Sequence, residues 1–495
     1  MKSIKKILFI TPPAFTFKNY LDINPLPPMG PGYIAAILGK EGYDTSIIDS
    51  LAMGWENHEI IDENIIRVGL SFKEIAEIID RYKPDVLGVS NLFSKQAGNA
   101  YKLAEIAKGL NPKLITVFGG AHPTVCHEDV LSTNFVDYVI FGEGDISFLK
   151  LIKYLEGKLS ISDLNGIAYK EAGKNIIIPK KEWVNDLDSL PFPARHLLDM
   201  ELYFGLEASH GQRRFRKFSP IITSRGCPAK CTFCSANKVW GRKFRKRSVE
   251  NVLSEMRHLK KEFGIQELLF EDDNTTLDVT RAKDLFRKMI DEKFNFAWDT
   301  PNGVAAFALD QETLRLMKDS GCYRVNFAIE SGNQYHLSNN IKKPLNLKKV
   351  TPLVDYARNI GMEVGVFLVV GVPGETEEMI WDSFKFVASM GIYTPHVSVA
   401  TPYPGTELYE ICKEKGYLKE EFSYDDLYIR SFCISTPELP SDNLKKILVD
   451  CQYWILKNGI KHNPFQYIKL LFSKVVKNPI QISKKLIKFV KALFG

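Results

Sequence analysis

The 495-residue chain has no run of eighteen apolar residues, its longest apolar stretches being short and strand-like, such as Val364 to Val370. A membrane-spanning helix is therefore not expected. The start, Met1-Lys2-Ser3-Ile4-Lys5-Lys6 followed by Ile7-Leu8-Phe9-Ile10-Thr11, has too short an apolar core for a secretory signal and no small-residue cleavage site, which predicts a cytoplasmic protein. Cysteine is scarce, eight in all, and three of the eight fall between Cys227 and Cys234. That bunching argues against a disulfide framework and for metal ligation in a reducing compartment. Hydrophobic residues at 45% and charged residues at 25% leave no room for a disordered or collagen-like chain. Acidic residues and arginine are missing altogether from Lys457 to Gly495, where nine lysines stand alone. The net charge of +6 is thus a property of the tail, leaving 6 minus 9, or −3, for the rest. A body with that balance is not expected to bind nucleic acid.

What is present alternates. From residue 1 to about 158, short β-branched runs (Ile7 to Thr11, Thr45 to Asp49, Val86 to Ser90, Ile115 to Gly119, Tyr138 to Phe141) are separated by segments of helical period (Gly32 to Glu41, Phe72 to Tyr82, Ala97 to Leu110, Ile146 to Glu156). This predicts a doubly wound, Rossmann-like parallel sheet whose ligand lies beyond the C-terminal strand ends. Residues 159–217, with Leu190-Pro191-Phe192-Pro193, lack a sustained period and read as a linker. From 218 to 430 the alternation resumes, with strands expected at Ile221 to Ser224, Glu267 to Glu271, Phe296 to Thr300, Arg324 to Ala328, Glu363 to Val370 and His396 to Thr401. Six strand–helix units predict a partial, open-sided barrel, again with its site at the C-terminal strand ends. Residues 431–495 are expected to be a helical tail. Tyr467, Leu471, Val475, Ile482, Leu486 and Phe489 form apolar stripes opposite the lysines, split at Pro479, as in a helix lying on an anionic membrane surface or packed on the protein with a solvated Lys face.

The first barrel strand runs into Ser224-Arg225-Gly226-Cys227-Pro228-Ala229-Lys230-Cys231-Thr232-Phe233-Cys234, a C-x-x-x-C-x-x-C loop. Three thiolates in eight residues can wrap one compact cluster, whereas a tetrahedral zinc site wants a fourth ligand nearby. A cubane held by three thiolates leaves one iron open to a chelating ligand. This loop resembles that of the radical SAM superfamily. The resemblance implies that Cys227, Cys231 and Cys234 hold a 4Fe–4S cluster whose open iron binds S-adenosylmethionine (SAM), which is cleaved on reduction to a 5′-deoxyadenosyl radical. By the same resemblance Phe233 lies beside the adenine, and Glu271, Asp273, Asn302, Glu330, Ser331 and Gly371, at successive strand ends, contact SAM, with Glu330 at the ribose. The common glycine-glycine-glutamate segment is replaced here by Glu271-Asp272-Asp273.

With that anchor, the first module resembles the cobalamin-binding domain of the radical SAM class that carries one upstream. The segments that carry the likeness are Pro12-Pro13, Pro27 to Tyr33, Asp49, Gly119-Gly120-Ala121-His122-Pro123-Thr124 and Gly142-Glu143-Gly144-Asp145. Cobalamin contacts are then expected from Asn91, Phe93, Gly119, Gly120, His122, Thr124, Gly142 and Glu143. Asp49-Ser50-Leu51-Ala52-Met53-Gly54 departs from the Asp-x-His-x-x-Gly form, so cobalamin is expected to bind without histidine below cobalt. The function implied is methylation of an unactivated carbon or phosphorus centre on a small-molecule or lipid substrate, with an electron donor such as flavodoxin or ferredoxin. Alternatives are a radical oxidative cyclase like that of anaerobic chlorophyll synthesis, a lipid-remodelling enzyme without methyl transfer, and a non-catalytic cobalamin or redox sensor.

Overall fold

The computed structural model describes residues 3–19, 23–206, 210–211, 213–428, 431–462 and 464. The first sheet contains strands β1 (Lys6–Thr11), β2 (Asp44–Asp49), β3 (Val86–Ser90), β4 (Ile115–Gly119), β5 (Tyr138–Ile140), β6 (Ile167–Glu171) and β7 (Lys174–Ile178), in the order β7-β6-β5-β4-β3-β1-β2. β2, β1, β3, β4 and β5 are mutually parallel. The pattern of β1 shows why: Ile7, Leu8, Phe9 and Ile10 are all buried, as a strand covered on both faces requires. Leu8 and Ile10 pack with Ile75 and Ile79 of helix Phe72–Tyr82 and Leu103 of helix Ala97–Leu110, whereas Ile7 and Phe9 pack with Leu38 of helix Met29–Lys40 and Leu151 of helix Asp145–Leu155. The strand order reverses between β1 and β3, which places the ligand crevice at their C-terminal ends.

The expected linker differs from what is observed. Within 159–217, β6 and β7 form an antiparallel hairpin that extends the first sheet through β5. Only Ile167, Ala168 and Tyr169 of this hairpin are buried, so its apolar period is too short to stand out from the surrounding sequence. Further along, Arg195 is buried against Glu255 (2.7 Å) and the Pro220 carbonyl (2.8 Å), tying this segment to the second module.

The second module has six parallel strands, β8 (Phe218–Ile221), β9 (Glu267–Phe270), β10 (Ala297–Asp299), β11 (Arg324–Glu330), β12 (Glu363–Val370) and β13 (His396–Val399). They form two triplets, β8-β9-β10 and β11-β12-β13, joined by the bridges Trp298 to Cys322 and Val304 to Phe327. Helices Val249–Phe263, Val279–Asp291, Gln311–Asp319, Val350–Asn359 and Glu377–Ser389 alternate with these strands. Trp298, fully buried between Phe270 and Phe286, anchors the core where the triplets meet. The first strand starts earlier than expected, at Phe218, and Ser224–Arg225 pairs instead with Arg245–Lys246 as a short antiparallel ribbon.

Helix Ser441–His462 packs on the second module, with Leu444, Ile447, Leu448, Cys451 and Ile455 buried and Trp454 set edge-on to Trp381 at 5.9 Å. Lys457 and Lys461 lie on this helix. The basic amphipathic stripes expected from Tyr467 onward lie outside the described residues. No helix among the described residues is long and apolar enough to cross a membrane.

Candidate functional site

The cysteine loop leaves the barrel at Gly226, whose φ of +89° and close approach to the Lys243 carbonyl (2.5 Å from an added Cβ) exclude any side chain. Its far end is pinned at Thr232, which donates from its amide to Ile341 O (3.0 Å) and from its hydroxyl to Asn340 O (3.0 Å), and accepts from the Leu408 amide (2.9 Å). Cys227 and Cys231 lie between these anchors and Cys234 two residues beyond the second; all three are free, half-buried thiols. Burial pushes Cys231 up to about 12, while the nearby Lys343 ammonium opposes the shift. No group of three or more His, Cys, Asp or Glu side chains among the described residues is drawn together tightly enough to hold a single metal ion. A cubane makes a different demand, since each thiolate takes a different iron and the sulfurs stand apart. Three thiols on one pinned loop with a buried cation beside them fit that group.

The strand ends divide the expected SAM residues by function. Asp272 is structural: buried, it accepts from the Thr223 amide (2.9 Å) and hydroxyl (3.1 Å) and from Ser224 (2.5 Å). Asp273 is exposed and within electrostatic reach of Cys227 and Cys234; desolvation, with Asp272 behind it, raises its carboxyl to about 6 against a hydrogen bond from the Gly226 backbone. Glu271 pairs with His210 (3.1 Å) and Asn302 (3.1 Å). Glu330, at φ +65° on a bulge of β11, forms a buried 2.8 Å ion pair with Lys343, so any ribose contact from it would come from an already paired carboxylate. Ser331 serves its own turn, sharing a hydrogen bond with Ser383 (3.1 Å) and accepting from the Asn333 amide (3.1 Å). The Gly371 amide donates to the buried Glu375 carboxyl (2.5 Å), which desolvation raises to about 8. Phe233 is half-buried against the barrel core. His210, Lys343 and Glu375 were given no role from the sequence because none stands in a spacing that marks it.

On the first sheet, Asn91 ends β3 almost fully buried, at 1% exposure, and both its amide nitrogen and its oxygen lack partners among the described residues. The two residues after it, Leu92 and Phe93, are 58% and 60% exposed. Across the crevice Gly120, at φ +119°, has no room for a Cβ against the Asn91 carbonyl, while Gly119 is open above. Thr124 clips two turns together, donating to Gly120 O (2.7 Å) and accepting from the Gly142 amide (2.8 Å). An unpartnered buried amide, exposed apolar residues and open glycine backbone fit a large amphipathic ligand rich in amide groups. Replacing Gly120 by valine should therefore abolish corrinoid uptake, read by absorption spectroscopy, since strain and the clash with Asn91 act together.

Two expected cobalamin contacts are placed elsewhere. His122 is buried, its Nε2 on Tyr101 Oη (2.9 Å) and its Nδ1 on Ser94 Oγ (3.0 Å), and desolvation lowers it to about 4; it is a neutral packing group. Glu143 is turned away from the crevice onto the barrel. Its Oε1 meets Arg245 (2.6 Å) and Arg225 (3.2 Å), its Oε2 accepts from the Val184 amide (3.0 Å), and Asp145 takes the other side of Arg225 (2.8 and 3.2 Å). The Arg225 guanidinium also lies 5.1 Å from the ring centres of Tyr33 and Trp240. In sequence a Gly-Glu-Gly-Asp turn at a strand end looks like a ligand loop; here the two acids clamp the modules together. Asp49 is likewise occupied, capping helix Ser50–Met53 and accepting from Thr11 (2.7 Å) and Tyr203 (2.8 Å).

Residues 221–387 match the model of the radical SAM superfamily, and residues 24–152 match that of the B12-binding domain. The chain is 35% identical over 465 residues to the cytidylyl-2-hydroxyethylphosphonate methyltransferase of Streptomyces wedmorensis, covering 88% of this chain and 86% of the relative. The chain belongs to the cobalamin-dependent radical SAM family. Two solved structures share its fold at 16% identity. The methyltransferase TsrM of Kitasatospora setae, with cobalamin and a 4Fe–4S cluster bound, has a TM-score of 0.68 and covers 91% of this chain and 88% of its own. The radical enzyme OxsB, with aqua-cobalamin and SAM bound, has a TM-score of 0.72 and covers 99% and 71%. This member of the family is thus an enzyme of the radical SAM methyltransferase kind, with a 4Fe–4S cluster, SAM and cobalamin as cofactors.

Proposed function

We propose that the enzyme methylates an unactivated carbon of a small anionic molecule, and that the cleft between the two sets of strand ends is where it does so. The observation that carries this reading is the clamp of Glu143 and Asp145 on Arg225 and Arg245, which holds the C-terminal edge of the first sheet against the cysteine loop. Bound there, the cofactors supply a 5′-deoxyadenosyl radical and a transferable methyl group. The chain's own groups then have distinct tasks. Cys227, Cys231 and Cys234 hold the cluster, and the Lys343 ammonium offsets thiolate charge beside it. The Asp273 carboxylate is the acceptor for the ammonium of SAM. Asn91, Gly119 and Gly120 supply amide and backbone contacts to the corrinoid, and Leu92 and Phe93 shield its face from water. The first sheet, with its hairpin out to Ile178, and residues 218–430 act as the two cofactor modules, joined by the segment between them.

A first substrate to try is cytidylyl-2-hydroxyethylphosphonate, taken from the name of the Streptomyces wedmorensis relative. Reconstituted enzyme given methyl-labelled SAM should place label in the product. Cyclisation, or lipid remodelling without methyl transfer, would leave product unlabelled while still forming 5′-deoxyadenosine. A one-electron donor of the flavodoxin or ferredoxin type completes the reaction.

Peripheral contact with the inner membrane face, and with it a lipid substrate, rests on the lysine-rich tail alone. The seven lysines between residues 463 and 495, at up to about 1 kcal/mol each near anionic lipid, would suffice for binding at low salt. Deleting residues 463–495 should then release the protein from anionic vesicles, and salt should weaken binding of the full chain. Full-length protein that ignores such vesicles would remove the lipid reading.

A further inference from the structure

His210 lies between the two segments matched by the family models, yet it sits at the strand ends of the barrel. The segment that carries it lines several strands. The amides of Arg214 and Phe215 donate to Glu267 Oε2 at the start of β9 (2.8 and 2.7 Å), and Tyr323 donates to the other oxygen (2.6 Å). Gly211 lies beside the ion pair of Asp299 on β10 and Arg324 on β11. At the end of this path the Nδ1 of His210 is 3.1 Å from both oxygens of Glu271, and Asn302 donates to the same carboxylate (3.1 Å) and to the Glu271 carbonyl (3.2 Å).

This arrangement fixes the ring. With Nδ1–H given to a doubly held carboxylate, Nε2 is the nitrogen left for a ligand; it has no hydrogen bond among the described residues, and the side chain is 35% exposed. We propose that His210 presents its Nε2–H to an anionic oxygen, carboxylate or phosphoryl, of a ligand bound at the strand ends of the barrel. Two molecules carry such an oxygen: SAM, in its methionyl carboxylate, and an acidic substrate. The inference rests on the reading above for the place of SAM and substrate, but not on the outcome of their reaction. Protonation favours it: burial lowers the His210 ring, but the bond and charge of Glu271, helped by Asp299 and opposed by Arg324, leave it raised. A raised histidine is charged below its pKa, so this contact is full at lower pH and fades as pH rises through it.

The test uses the full chain carrying cobalamin and an oxidised cluster, so that SAM is not cleaved. Binding of SAM, and separately of cytidylyl-2-hydroxyethylphosphonate, is measured by equilibrium dialysis across pH for the wild type, His210→Phe and His210→Gln. Loss of a charge-assisted hydrogen bond should weaken one of the two ligands about 10- to 100-fold in His210→Phe. His210→Gln, which keeps a neutral donor, should recover part of that affinity and lose the decline with pH. The ligand affected identifies the source of the oxygen. Unchanged affinity for both ligands in His210→Phe, or a decline of affinity with rising pH that persists in His210→Gln, overturns the assignment; a rise of SAM affinity with pH belongs to Asp273 and is expected in both proteins. If wild type binds neither ligand, the placement of SAM and substrate falls with it. Iron content and thermal midpoint identify a variant that merely fails to fold, in which case His210→Gln alone decides.

Discussion

Substituting Cys227, Cys231 and Cys234 together by alanine should take anaerobically reconstituted iron from about four per chain to background and abolish 5′-deoxyadenosine formation on reduction. The loop around them should survive, because its anchors are elsewhere: Thr232 is held by Asn340, Ile341 and Leu408, and Gly226 by the close approach of Lys243. Removing the thiols also removes groups whose burial disfavours ionisation, so the variant should lose its cluster without losing its fold. Circular dichroism and the thermal midpoint of the apoprotein should match wild type, and corrinoid uptake by the first module should be retained. Stoichiometric zinc and no iron in the wild type would contradict the assignment of the loop.

The second large effect is expected at the clamp. Arg225→Leu leaves the Asp145 carboxylate buried with no guanidinium facing it, and Glu143 with Arg245 alone. Breaking a buried pair by removing one partner costs about 3–5 kcal/mol, because the remaining charge stays out of water. For modules of this size that is roughly 6–20 °C in thermal midpoint. The loss should depend on pH in a defined sense. Burial alone would raise Asp145, but the charge and hydrogen bonds of Arg225 outweigh it and hold the carboxyl below its ordinary value. A depressed acid contributes stability that is present above its unfolded pKa and lost as pH falls through the folded one. The gap between wild type and Arg225→Leu should therefore be full at neutral pH and narrow in acid. Adding Asp145→Asn to Arg225→Leu should restore part of the loss at neutral pH, since it removes the stranded charge. An equal deficit at every pH would mean that packing against Tyr33 and Trp240, rather than charge, is what Arg225 contributes. Because Arg225 lies two residues before Cys227, iron loading should also fall.

The alternation of strands and helices was legible because parallel strands covered on both faces are continuous apolar runs. β1, β3, β4 and β12 lie within a residue of where composition placed them. The hairpin β6–β7 was not legible, since β6 buries only three residues and β7, at the edge of the sheet, buries none, so neither carries such a run. The cysteine loop was legible as a candidate for a different reason: three thiols on a single loop, close in sequence, are the arrangement that one compact cluster would need. Glu143 and His122 misled because a residue at a strand end can face a ligand or the neighbouring module, and one-dimensional position is the same for both.

Sequence alone thus determined the class of fold, the two-module order and the candidate ligands, all of which depend on spacings of a few residues. The tertiary structure decided which strand-end groups are available for chemistry. Asp272, Glu143 and His122 are spent on partners 21 to 102 residues away, while the Asn91 amide is left without a partner among the described residues and Asp273 is exposed. It also brought His210 from outside both family segments to Glu271, 61 residues on. Pairing over such separations is set by how the modules pack. A buried charge must find a partner wherever the fold supplies one, and that choice leaves no periodic trace in the chain.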